Sequence, residues 1–586
     1  MNRKYYRIVR TKANQKRLVL ILSLFIGLVS GLAAVLLKNT VHYTNYLITH
    51  GFDFTQGNYL YLAFPLVGIG LTILFSKYIA RDDIGHGVSR ILYALSRKKG
   101  RLEPHNMYSS MIGSTFTIAF GGSMGLEAPI VLTGSSIGSY LGRRFHLSYK
   151  TIMILVGAGA TGAIAGIFKA PIAAVVFSLE VLMLDLTMVT LIPLLISAAT
   201  AATVSYLFLG NGVLFSFDFV QQFKVGHLVY YAGLGVFTGM ISIYFTKTTL
   251  LVETKMGLLH KKWQRWLLGG LLLGLLIYVF PSLYGEGYEF MHQLINQRTD
   301  GLINESLFGD INSIYWLSLF LLLILVFKVV AMAVTGGSGG VGGIFAPSLF
   351  MGAVSGVLYS KILETFPFLH NVPEKSLALV GMAGVMAGVM HAPLTGVFLI
   401  AEFTGGYELF TPLIITSVIS YLTIMIFEPH GIYTKRLAKR GELMTHHKDR
   451  NVLQMMSVEK LIERNFKTVN REGNLGDLVR IISESERNVI AVVDEENNFY
   501  GVVFVNDIRN IIFKPELYEK TLVEDVMFMP ETFVSPDDSM ESVAQRFQES
   551  GNFNIPVIDD GKYIGFVSRA RIFSNYRRLL KEFSDE

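Results

Sequence analysis

The chain has 586 residues, of which 51% are hydrophobic and only 16% charged, with a mean hydropathy of +0.45. A soluble domain carries about a quarter charged residues, so this composition excludes an ordinary soluble protein and points to a polytopic membrane protein. Cysteine is absent, which excludes disulfides, thiolate catalysis and cysteine-based metal sites.

The net charge is +6. Residues 1–17 carry Arg3, Lys4, Arg7, Arg10, Lys12, Lys16 and Arg17 with no acid. Under the positive-inside rule this predicts a cytoplasmic N-terminus. Nucleic-acid binding is the other use of such a run, but no soluble domain surrounds it, so no nucleic-acid partner is expected. The apolar stretch that follows is too long, and lacks the small-residue cleavage site, to be a removed signal peptide.

Residues 18–37 and 58–77 read as spanning helices. From about 105 to 210 the apolar segments are short and interrupted by Gly and Pro. Longer spans return near 226–247, 264–281 and 314–334, and the broken style resumes over 335–428. The broken segments repeat. GGSMGLEAPIVLTGSSIG (121–138) is echoed by GGSGGVGGIFAPSLFMGAVSG (336–356), with Pro129 and Gly134 matching Pro347 and Gly352 at an offset of 218. GAIAGIFKAPIAAVVFSLE (162–180) is echoed by GVMAGVMHAPLTGVFLIAE (384–402), with Pro171 and Glu180 matching Pro393 and Glu402 at an offset of 222. Paired, interrupted helices in corresponding positions of two halves point to a transport site at the membrane midplane. Their free backbone groups must line a cavity or pack on protein.

The stretch Gly121–Pro129 is glycine-rich, opens a helix and ends in one carboxylate. Free N–H groups and the positive end of a helix dipole make such a start an anion site. Glu127 can occupy the seat of an anion, so Glu127 is the candidate gate, an ionisable group within a membrane segment being functional by default. Glu180 and Glu402 end apolar helices in equivalent positions and are expected to be hydrogen-bonded structural groups. Gly337–Gly342 fits a dinucleotide GxGxxG pattern, but it follows a long apolar helix rather than a strand in a βαβ unit, and that reading is rejected. No nucleophile–base–acid set for an enzyme is found, and His446–His447 has no accompanying ligands.

Composition changes near 435. NVIAVVDEENNFYGVVFVNDIRNIIF (488–513) matches NIPVIDDGKYIGFVSRARIF (554–573), each a β-run, turn, β-run and helix start preceded by an amphipathic helix. The expected organisation is a basic N-terminus 1–17, a transmembrane domain 18–440 with halves of about 18–210 and 224–440, a linker 441–455, and two small α/β modules over 456–515 and 520–586.

These motifs resemble the CLC family of chloride channels and proton-coupled anion exchangers over roughly 18–440, and the C-terminal modules resemble a pair of CBS domains. The family's Gly-Ser-Gly-Ile-Pro motif is here Gly85-His86-Gly87-Val88-Ser89. Its Gly-Arg-Glu-Gly-Pro motif is here Gly125-Leu126-Glu127-Ala128-Pro129. Its Gly-Gly-x-Phe-x-Pro motif is intact from Gly342 to Pro347. The resemblance implies a homodimer with one anion pathway per subunit and antiparallel halves. It implies anion coordination by backbone N–H groups around Gly87–Val88, Leu126–Glu127 and Ile344–Phe345, a hydroxyl from Tyr433, and gating by Glu127. Chloride is the expected ion, since backbone amides and helix ends can hold it without a full positive charge; no cofactor is required. His86 departs from the usual serine. A histidine can donate N–H to an anion and titrates near neutral pH, so conduction is expected to respond to cytoplasmic pH. Exchangers usually carry a proton-transfer glutamate where this chain has Val181. The expectation is therefore a passive, Glu127-gated chloride channel, with a chloride/proton antiporter as the alternative and a membrane-anchored nucleotide sensor as a remote one. The location implied is a bacterial inner membrane with the CBS pair in the cytoplasm. Family nucleotide sites use Ser/Thr followed three residues later by Asp. The first module offers Phe504 and Asp507, the second Ser568 and Arg571, so each keeps half the pattern. Asp507 could bind ribose and Arg571 phosphate, making adenine nucleotide a candidate ligand, but a packing role is favoured.

Overall fold

In the computed structural model of the chain, residues 12–584 are described apart from 50–58, 86, 211–224, 297–313, 367–371, 440–452 and 454–455. The chain divides into two units, Met1–Leu443 and Met444–Glu586. Of the expected linker 441–455, all but Leu453 lies outside the described residues.

The first unit is a polytopic bundle of α-helices. Its long apolar runs suit helices, which satisfy their own backbone groups in lipid, and lack the alternation of a barrel's strands. Its helices in chain order are α1 Lys12–Thr49, α2 Leu60–Phe75, α3 Gly87–Arg97, α4 Asn106–Ala119, α5 Glu127–Arg144, α6 Tyr149–Phe168, α7 Pro171–Glu180 and α8 Met188–Leu209. They continue as α9 Leu228–Leu258, α10 Lys262–Val279, α11 Tyr288–Ile295, α12 Ile314–Gly337, α13 Phe345–Glu364, α14 Glu374–Met390, α15 Pro393–Phe403, α16 Phe410–Met425 and α17 Ile432–Lys439. Among the described residues, seven helical segments are long and apolar enough to span a membrane. The α7 and α15 helices have 10 and 11 residues, roughly 15 Å at 1.5 Å per residue, about half the hydrocarbon thickness. These are the interrupted helices that the sequence predicts.

The two offsets in the sequence become a twofold relation in space. Gly125 and Gly343, 218 positions apart, form an antiparallel bridge, each N–H donating to the other's carbonyl at 2.9 and 2.7 Å. Thr335 Oγ1 accepts from Ser123 N–H at 3.3 Å, and its counterpart Thr117 Oγ1 accepts from Val341 N–H at 2.9 Å. Gly121 and Gly339 both turn the chain with positive φ, 93° and 104°, which glycine adopts without a Cβ penalty. At the offset of 222, Lys169 and His391 both end their helices with left-handed φ, 56° and 57°. The carboxylate of Glu402 accepts from Ile172 and Ala173 N–H (3.0 and 2.8 Å) at the start of α7. Glu180 accepts from Leu394 and Thr395 N–H (3.0 and 2.8 Å) at the start of α15. Pro171 and Pro393 open these helices and leave the next N–H groups without an intrahelical partner, so each acid caps the other half's helix. Contacts in which i meets j′ while i′ meets j are the signature of a twofold axis. Glu180 and Glu402 are thus hydrogen-bonded structural groups, as expected.

The C-terminal unit contains β1 Thr468–Asn470, α18 Leu475–Ser483, β2 Val489–Val493, β3 Phe499–Phe504, α19 Val523–Val526, α20 Met540–Ser550, β4 Asn554–Asp559, β5 Lys562–Ser568 and α21 Arg569–Ser584. β1 runs parallel to β2, which pairs antiparallel with β3 (Ile490 opposite Val503). β4 pairs antiparallel with β5 (Ile555 opposite Val567). Every residue of β2 is buried, which is why its sequence is a continuous apolar run rather than an alternating one. Chain segments cross between the modules: Glu463 pairs with Phe566 of the second, and Phe528 with Val502 of the first.

Candidate anion pathway

The N-termini of α5 and α13 come together because the Gly125–Gly343 bridge joins the turns that precede them. Glu127 is the first residue of α5 and is 3% exposed. The backbone N–H groups that act on its carboxylate are its own and that of Ala346, in the first turn of α13. The carboxylate therefore sits at two positive helix ends, where a free anion would also be favoured. Tyr288 Oη donates to Glu127 Oε1 at 3.2 Å, while Oε2 has no hydrogen-bond partner. A Cβ at Gly125 would collide with this carboxylate, and one at Gly343 would come within 3.1 Å of Oε2. Glycine at 125 leaves the room the acid occupies, and at 343 a side chain would crowd it.

The other predicted site residues occupy adjoining helix starts. Gly87 opens α3 and lies against the Ala128 backbone. Val88, Leu126, Ile344, Phe345 and Tyr433 are all buried. Ser89 Oγ donates to the Tyr433 carbonyl at 3.1 Å, tying α3 to α17. Phe345 stacks on Phe168 with ring centroids 5.2 Å apart. Val181 is buried at the end of α7 and presents no proton carrier. His86 lies outside the described residues.

Sequence reasoning missed a second charged group beside the first. A cavity of about 220 Å³ is lined by Lys38, Leu126, Glu127, Ile167, Phe168, Glu286, Tyr288, Glu289 and His292. Leu126 N–H, expected to face the anion, donates instead to Glu286 Oε1 at 3.0 Å. Glu286 is held between Gly285 and Gly287, both with positive φ (58° and 83°), which turn the chain into the cavity. Lys328, fully buried in α12, donates to the carbonyl of Gly285 at 3.2 Å and lies over the Phe350 ring at 4.7 Å. Lys38 and Lys328 are the cations that act on Glu286. One signal was available: Lys328 is the lone charge in the apolar run 314–334, and such a residue is functional by default.

In the C-terminal unit, Asp507 and Arg571 are exposed and Ser568 is buried. The Ser568 hydroxyl donates to Glu463 and accepts from Arg571 N–H at 3.2 Å. Its one donor and one of its acceptor sites are used within the protein. Glu463, which is buried, also accepts from Arg487 Nη2 at 2.7 Å, so one carboxylate joins the two modules. Glu463→Ala is expected to destabilise this unit by about 1–3 kcal/mol, because partners are left unsatisfied. Hydrogen exchange over 456–578 in the full chain would report it as lost protection, and unchanged protection would contradict the role.

A helical membrane unit with internal twofold symmetry and an acid seated at paired helix ends defines an anion-transport protein of the kind built from inverted repeats. The comparisons agree. The family described as "Voltage gated chloride channel" matches residues 67–424, and CBS domains match 458–514 and 523–578. The chain is 32% identical over 386 residues to "Putative chloride channel protein ClcB-like" of Ralstonia nicotianae, covering 64% of this chain and 83% of that protein. It is 27% identical over 434 residues to "H(+)/Cl(-) exchange transporter ClcA" of Vibrio cholerae, covering 72% and 89%. Among solved structures, a slow cyanobacterial Cl-/H+ antiporter has a TM-score of 0.60 at 21% identity, covering 72% of this chain and 97% of its own. A eukaryotic CLC transporter has a TM-score of 0.59 at 17% identity, covering 94% and 97%. The chain belongs to the CLC family of voltage-gated chloride channels and transporters, and it carries two CBS domains.

Proposed function

We propose that the protein is a chloride/proton antiporter rather than the passive channel expected from Val181. The observation that carries this reading is the seat of Glu127. One place, at the facing ends of α5 and α13, suits either the carboxylate or a free anion. An ionised Glu127 excludes the anion, and a protonated one yields the seat. Mutually exclusive occupancy is a coupling free energy between proton and anion. Relatives named H(+)/Cl(-) exchange transporters, 26–28% identical, support it. The channel reading keeps the support of Val181 and of the name of the Ralstonia relative.

In this reading the backbone of Gly87, Val88, Leu126, Ile344 and Phe345, with His86 and Tyr433, lines the anion route. The protein works as a homodimer in a bacterial inner membrane, with its N-terminus and CBS pair in the cytoplasm. The CBS pair, with Ser568 engaged internally and Asp507 and Arg571 exposed, acts in packing rather than nucleotide sensing. The expected organisation stands as the working division: 18–440 for transport, with 456–515 and 520–586 as the two modules.

Purified full-length protein in chloride-loaded vesicles tests the antiport. Chloride efflux is expected to drive protons inward against their gradient. Chloride efflux with no proton movement would return the protein to the channel reading.

A further inference from the structure

Glu127 is not the only acid on a helix-start donor. Glu286 accepts the Leu126 N–H at 3.0 Å, immediately before α5 begins. It projects into the same cavity, which runs from buried Glu127 to Glu289 at the exposed surface. The two acids thus take the two kinds of seat that this end of the path offers. Glu127 is at the α5 and α13 ends, and Glu286 is on the N–H one residue before α5.

The titratable groups facing Glu286 are Lys38 from α1, Lys328 from α12, Glu127 from α5, and Tyr288, Glu289 and His292 from its own segment. Two lysines therefore face a region where Glu286 supplies the nearest balancing charge. A carboxylate in such a place contributes one negative charge and one acceptor. A small anion contributes the same two things. Protonation removes the charge and leaves the lysines and the Leu126 N–H short of an anion.

We propose that Glu286 is a second tethered anion of the pathway: its carboxylate holds the Leu126 N–H in place of a small inorganic anion and gives it up when protonated. The proton comes from solvent through the cavity, past Glu289 and His292, and stays on the Glu286 carboxyl. The anion then takes over the Leu126 N–H and balances Lys38 and Lys328. The carboxyl O–H is the one bond formed, from a solvent proton, and once the anion has bound the net charge in the cluster is what it was with Glu286 ionised. This inference rests on the anion-transport reading and extends it, making anion entry proton-linked at two acids rather than one.

The test uses full-length, detergent-solubilised protein with chloride as the probe and Glu127→Gln as the background, so that Glu127 no longer titrates. Chloride affinity is measured by calorimetry from acid to alkaline pH. With Glu286 intact, apparent affinity is expected to weaken by about tenfold per pH unit once Glu286 ionises, because only the protonated fraction is competent to bind. In Glu127→Gln/Glu286→Gln the affinity is expected to be tighter at alkaline pH and independent of pH. The glutamine oxygen can still accept the Leu126 N–H, so the turn keeps its partner. Identical pH profiles in the two variants overturn the inference while leaving the transport reading intact. Absence of chloride binding in both variants at every pH overturns both. Should the double variant fail to fold, the single one decides: a pH-independent affinity in Glu127→Gln overturns the inference, and a proton-linked one that persists in Glu127→Gln/Glu289→Gln/His292→Gln supports it.

Discussion

Glutamine in place of Glu127 is expected to reduce chloride-driven proton movement to the level of protein-free vesicles while chloride still moves down its gradient. The side chains are nearly isosteric, so the buried position and the Tyr288 contact at 3.2 Å can be kept. What is lost is the charge that competes for the seat and the proton that leaves it. A neutral side chain at 127 cannot exchange a proton for an anion, so coupled transport is lost at this seat, while the proton that Glu286 takes from solvent bears on anion binding alone. Simultaneous recording of chloride efflux and internal pH would check this. Retained proton uptake would place the coupling group elsewhere.

The second large effect is structural. Gly138→Val is expected to destabilise the membrane unit by about 1–3 kcal/mol or more, since overpacking a close contact forces backbone shifts. A Cβ at Gly138 would run into the Leu155 carbonyl, just as one at Gly356 would run into that of Leu377. These are equivalent places in the two halves, 218 and 222 positions apart. Small residues let helix backbones approach where lipid offers no hydrophobic driving force. Gly356→Val is expected to behave alike. Thermal unfolding of solubilised protein would show a lowered midpoint for each variant, and an unchanged midpoint would contradict the packing argument.

The architecture was legible because its rule is periodic. Offsets of 218 and 222 are visible in the sequence and return as reciprocal contacts, Gly125 with Gly343 and Glu180 and Glu402 with opposite helix starts. A lone acid after a glycine turn could be read as an anion's stand-in from helix-end electrostatics alone. Glu286 could not be read in that way. Its partner Leu126 lies 160 positions away and carries no chemical mark, since only its backbone is used. Lys328 did carry a mark, a single cation in an apolar span. Ser568 was misleading in the other direction, because its side chain suits a ribose but is engaged by Glu463 and the Arg571 N–H.

The most direct measurement of proton coupling is the reversal potential of the reconstituted wild-type protein under a pH gradient with equal chloride on both sides. Antiport predicts a reversal potential displaced from zero, with a sign that inverts when the pH gradient is inverted. A potential fixed at zero under both gradients would contradict it.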